Sequence, residues 1–80
     1  MIPVYAFVAG DTLGLVVLLD EDQTMVSVAE RLQASASVRV APRRGLMVLH
    51  QGRPVDPYAT VASLGVRPLD RIDLVEGEGG

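Results

Sequence analysis

Cysteine, tryptophan and lysine are all missing from this 80-residue chain. Without Cys there is no disulfide framework, no thiolate metal site and no thiol nucleophile. Without Lys there is no side-chain amine for isopeptide chemistry or a Schiff base. All seven cations are Arg, at positions 31, 39, 43, 44, 53, 67 and 71. Histidine occurs once, as His50. No apolar stretch approaches the ~20 residues that a membrane-crossing helix needs. Residues 1–15 carry no Lys or Arg ahead of an apolar core, so no secretory signal is expected and a cytoplasmic location is. A net charge of −3 and a pI near 4.8 argue against nucleic acid as the main partner.

What is present is a globular composition, 49% hydrophobic and 21% charged. The length supports one domain, and a domain of this size buries roughly 60% of its unfolded surface. Ile2–Val8 alternates as a strand, with Val4, Ala6 and Val8 on one face and Tyr5 and Phe7 on the other. Pro3 lacks a donor and marks an unpaired side. Gly10-Asp11-Thr12 and Gly14 then turn the chain into a second strand, Leu15–Leu19, which completes a hairpin.

The acidic run Asp20-Glu21-Asp22 breaks the pattern, and Thr24 follows as a helix N-cap with Ser27 three residues on. Met25, Val28, Ala29 and Leu32 recur at helical spacing, so a helix is expected over Met25–Ala36. The acidic run suits the positive end of that helix. It lacks the spacing and the glycine of an EF-hand loop. Val38–Gly45 reads as a basic extended crossover and Leu46–His50 as a third strand. Gln51–Pro54 reads as a turn, Val55 as the start of a short fourth strand, and Thr60–Gly65 as one short helical turn stopped by Gly65. Arg71–Val75 is the last strand. The order ββαββ, with a short extra helical turn and a closing strand, is that of an α+β, two-layer single domain. It spans residues 1–75, with 76–80 as a flexible Gly-rich tail. The expected core is Val4, Leu15, Val17, Leu19, Met25, Val28, Leu32, Leu46, Val48, Leu64, Ile72 and Leu74.

This order of elements resembles the ubiquitin-like β-grasp fold. A narrower set of residues resembles the small gamma subunit of the multicomponent di-iron monooxygenases that oxidise toluene, isoprene and other alkenes. The matching pieces are Pro3-Val4-x-Ala6, Leu15–Leu19 followed by Asp20, and Val28-Ala29-Glu30. The most specific is the crossover Arg39-Val40-Ala41-Pro42-Arg43-x-Gly45-x-Met47-Val48; Ile72-Asp73-Leu74-Val75 closes the match. The chain departs from that pattern at Arg44, in its shorter Gln51–Pro57 turn and in its tail.

The resemblance implies a non-catalytic subunit of a soluble hydrocarbon monooxygenase, docking on the large hydroxylase subunit. The whole complex would carry out O₂- and NADH-dependent oxygenation of an aromatic ring or an alkene. The irons belong in that partner. A di-iron carboxylate site takes Glu residues and Glu-x-x-His pairs from facing helices. Here the residue three before His50 is Met47, and one helix is expected. Phosphate-loop, dinucleotide and nucleophile-elbow motifs are absent as well.

Two features point to a partner. One helix covers one face of a sheet, so strand parity leaves Tyr5, Phe7, Val16, Leu18, Met47, Leu49 and Val75 on the other face as an apolar patch. Arg39, Arg43, Arg44 and Arg53 form a local positive pole suited to a partner's carboxylates. The expected docking residues are Tyr5, Phe7, Val16, Leu18, Arg43, Arg44, Met47 and Leu49, with no cofactor or metal in the chain itself. His50 reads as a partly exposed strand-end side chain. A different class of function, a ubiquitin-like modifier or sulfur carrier, would act through the carboxylate of Gly80 after Gly79. The acidic Glu76-Gly77-Glu78 tail and the lack of Lys argue against it. A ubiquitin-like accessory protein of a secretion machine is a third reading.

Overall fold

A computed structural model describes residues 1–77. The strands are β1 (Ile2–Val8), β2 (Leu15–Leu19), β3 (Leu46–His50), β4 (Arg53–Pro54) and β5 (Arg71–Glu76), and the helix α1 is Met25–Ala36. They form one five-stranded sheet in the order β2-β1-β5-β3-β4. The central pair β1 and β5 is parallel, and the other pairings are antiparallel. The helix packs on one face and leaves the other to solvent.

The first, second and third strands and the helix run as the sequence pattern indicates. β5 continues one residue further, so Glu76 belongs to the sheet and not to a tail. The fourth strand lies earlier than expected. Gln51 (φ 52°) and Gly52 (φ 81°) make a two-residue turn with both central residues left-handed. Such a turn closes tightly and matches strand twist, so pairing resumes at once, with Arg53 opposite His50 and Pro54 opposite Leu49. Val55 lies past the strand.

Helix α1 starts where Thr24 Oγ1 accepts the Ser27 N–H at 3.3 Å. The Ser27 hydroxyl is used differently from a reciprocal cap: it accepts from Gln23 Nε2 at 3.2 Å. Two further free N–H groups are met from outside the helix. Met25 N–H donates to Ala59 O at 2.9 Å and Val26 N–H to Pro57 O at 2.8 Å. The first turn, which would otherwise present unsatisfied donors, is therefore stitched to the 56–59 segment.

The core between helix and sheet holds Val4, Ala6, Val8, Val17, Leu19, Met25, Val28, Leu32, Ala36, Val48, Val61, Val66, Ile72 and Leu74, with no polar residue buried among them. Three expected core members, Leu15, Leu46 and Leu64, are only partly buried and pack on its rim. Leu15 and Leu46 are the first residues of their strands. Val61 and Val66 are core residues that no periodicity announced. They come from the 60–66 segment, which forms one i→i+4 turn, Leu64 N–H to Thr60 O at 3.2 Å, closed by Gly65 N–H to Ala62 O at 3.1 Å and Val66 N–H to Val61 O at 3.3 Å.

Candidate partner-docking surface

Because Val4, Ala6, Ile72, Leu74 and Val48 point into the core, their neighbours along each strand point to the open face. The ladder register arranges these neighbours in rows. Pro3 lies beside Leu18. Val16, Tyr5 and Arg71 form the next row. Phe7, Asp73, Leu49 and Pro54 follow, and Val75 and Met47 form the last. Tyr5, Phe7, Val16, Leu18, Met47 and Leu49 thus share one face. Val16 is 65% exposed and Tyr5 and Leu18 are each 45% exposed. Phe7, Met47, Leu49 and Val75 are partly buried.

The face is not uniformly apolar. Arg71 and Asp73 stand on β5 at its centre, with Arg71 Nε 2.9 Å from Asp73 Oδ2, and the Arg71 guanidinium lies 4.2 Å above the Phe7 ring. The carboxylate beside it raises the pKa of Arg71. Gly14 flanks the same ring. A Cβ there would sit 2.8 Å from Phe7 Cε1, so the absence of a side chain is what lets β2's leading turn approach. Phe7 is therefore fixed between a turn and a cation, and the ion pair divides the patch. Tyr5, Val16 and Leu18 lie to one side of it, and Leu49, Met47 and Val75 to the other. Sequence parity held the signal for this pair, since Arg71 and Asp73 alternate with Ile72 and Leu74.

The arginines do not form one pole. Arg39 is tied to Asp11 across the β1–β2 turn, with Nη2 at 2.7 Å and Nε at 3.0 Å from its carboxylate. The Asp11 side chain is nearly inaccessible, and Leu13 N–H also donates to it at 3.1 Å. The guanidinium hydrogen bonds hold the Asp11 carboxyl below the usual carboxylate range. Arg43 passes over Gly10 to pair with Glu76, and its backbone is held twice by the Gln33 side chain, at 2.6 Å and 2.9 Å. Arg53 lies beside His50, at the opposite end of β3 from this crossover. Arg44 and Arg53 are exposed, with no ion pair among the described residues. The crossover block is thus a clasp holding one end of the sheet, and Arg44 is its outward cation.

His50 is mostly buried, with Nε2 2.8 Å from Asp70 Oδ2. Asp70 also accepts Arg67 N–H at 3.0 Å. That backbone donor, and then His50, hold the Asp70 carboxyl below its ordinary range. The pair closes the turn into β5 and fixes His50, the last residue of β3, as a partly exposed strand-end side chain. Asp20 and Gln23 bond each other at the helix entrance, and Asp20, Glu21 and Asp22 are exposed there. Among the described residues no three His, Asp or Glu side chains converge to hold a metal ion. Among the described residues no helix is long and apolar enough to cross a membrane. The Gly79-Gly80 end lies outside the described residues.

Several solved structures share this architecture. A chain of the toluene 4-monooxygenase HD complex with the inhibitor 4-bromobenzoate is 31% identical, covering 95% of this chain and 98% of that one, with a TM-score of 0.86. Ubiquitin of Caldiarchaeum subterraneum is 22% identical over 99% and 98% of the two chains, with a TM-score of 0.78. A designed protein based on ubiquitin is 22% identical over 99% and 92%, with a TM-score of 0.74. The latter two likenesses establish the β-grasp fold alone. None of the curated proteins matches the chain. Residues 1–75 match the sequence pattern of toluene-4-monooxygenase system protein B. The chain belongs to the toluene-4-monooxygenase system protein B family.

Proposed function

We propose that this chain docks on the large hydroxylase subunit of a di-iron hydrocarbon monooxygenase through the open face of its sheet. Family membership makes it a small, non-catalytic subunit of a monooxygenase complex, with a protein partner. The finer reading concerns which partner and which surface. The observation that carries it is the row of exposed apolar side chains, Tyr5, Val16 and Leu18, on a face the single helix leaves uncovered. A contact area of this kind, with Leu49, Met47 and Val75 beyond the Arg71–Asp73 pair, has the apolar centre and charged insertion of a docking surface. Phe7 holds Arg71 in place, and Arg44 supplies a cation for a partner carboxylate.

The described residues do not fit a di-iron site, so the irons are assigned to the partner and this chain's contribution is assembly. The complex would oxygenate an aromatic ring or an alkene in the cytoplasm. The modifier alternative finds no support in the family match. The test is co-purification and calorimetry of the full chain with any di-iron hydroxylase encoded beside it. Saturable binding supports the reading. Absence of binding to any such hydroxylase refutes it.

A further inference from the structure

The chain carries a second surface with a different chemistry, a cleft between α1 and β3. Its volume is about 250 Å³, and its walls are Met25, Ala29, Leu46, Val48, Val55 and Pro57. Cavities of ~150 Å³ with such walls hold a benzene ring, so this one has room for one bulky apolar side chain. The cleft exists because the chain leaves the sheet early. β4 is two residues long, and the 56–59 segment then swings away so that its carbonyls accept the Met25 and Val26 N–H groups at the start of α1. The first half of β3 is left as an open edge.

The backbone of that edge is unpaired in a definable way. Val55 N–H donates to Val48 O at 3.2 Å, so Val48 faces the β4 side, and by alternation Leu46 does too. Among the described residues no backbone group meets the N–H or C=O of Leu46, or the N–H of Val48. Glu30 stands at the rim of the cleft, exposed and without a cation among the described residues. The second polar rim residue, Gln33, is already committed to the backbone of Arg43. The cleft therefore offers strand-pairing groups, an apolar socket and one unmatched negative charge.

From these three features we infer that the cleft receives an extended segment of a partner protein, which adds to the edge of β3, places a Phe- or Leu-sized side chain in the socket and sets an Arg or Lys against Glu30. This is strand addition with a side-chain anchor. In the monooxygenase it deepens the docking reading by naming a second point of attachment, and it rests on that reading only for the identity of the partner.

The test uses the full chain and two capped dipeptides, acetyl-Arg-Phe-amide and acetyl-Glu-Phe-amide, followed by amide NMR. The expected result is saturable shifts at Leu46, Val48 and Val55, with the Arg peptide binding about two- to five-fold more tightly than the Glu peptide, the range of an exposed ion pair. Ala29→Phe, which fills the socket from an incompletely buried helix position, should abolish those shifts, and Glu30→Gln should remove the preference between the peptides. Thermal unfolding of both variants confirms that they fold. Shifts absent from β3, or equal binding of both peptides, would overturn the proposal. With the hydroxylase, Ala29→Phe should weaken binding at least ten-fold. If the dipeptides bind but the hydroxylase does not, the cleft stands and the monooxygenase partner is wrong. If the hydroxylase binds but Ala29→Phe has no effect, the cleft is wrong and the docking reading stands.

Discussion

Replacing Val16 by Ser separates docking from folding. Val16 stands on the edge strand β2 with its side chain on the open face, 65% exposed, opposite Tyr5. Full burial of a valine stabilises by roughly 1.5–3 kcal/mol. About two thirds of that remains to be gained when a partner covers the face, or about 1–2 kcal/mol. Losing it weakens binding by about 5- to 30-fold. In the free chain the same change disturbs one cross-strand pair, worth roughly 0.2–1 kcal/mol, so the melting temperature should fall by no more than about 8 °C. Calorimetry against the hydroxylase, with thermal unfolding of the free variant alongside, reads both quantities. Affinity within two-fold of the unmodified chain would refute the assignment of this face. A large fall in melting temperature would refute the claim that Val16 contributes little to the free fold.

Three further outcomes follow from the same structure. Leu32 is fully buried under the sheet, so Leu32→Ala should cost about 2–5 kcal/mol through lost burial and a cavity, and lower the melting temperature by at least about 8 °C. Asp70 has its pKa depressed in the folded chain, first by Arg67 N–H and then by His50. Its contribution is therefore complete above the unfolded value of about 3.9 and is lost as pH falls through the lower folded value; Asp70→Asn should flatten the acid limb of melting temperature against pH. Removal of Gly79 and Gly80 should leave assembly with the hydroxylase unchanged, measured by co-purification, whereas a modifier would lose its adenylation.

The sequence was most readable where one face of an element is buried and the other is not. Alternation in Ile2–Val8 and Leu15–Leu19 and the helical spacing of Met25, Val28 and Leu32 placed those elements to the residue. The same parity put Tyr5, Phe7, Val16, Leu18, Met47 and Leu49 on one face. What escaped depends on contacts distant in sequence. Val61 and Val66 enter the core from turns, which carry no period. Arg39 meets Asp11 28 residues away, so a run of arginines that reads as a free positive pole is in fact a clasp. Arg44 alone of the crossover cations stays outward, and Arg53 sits at the other end of β3. The cleft beside β3 was invisible because it arises from where the chain goes after Pro54, which the left-handed Gln51-Gly52 turn determines.

The open-face claim is tested most directly by methyl cross-saturation of the deuterated, methyl-labelled chain bound to unlabelled hydroxylase. The account predicts signal loss at Val16, Leu18, Leu49 and Val75. Leu13 and Val38, which are also exposed but belong to the turn before β2 and the turn after α1, should keep their intensity. Saturation confined to Leu13 and Val38, with the open-face methyls untouched, would contradict it.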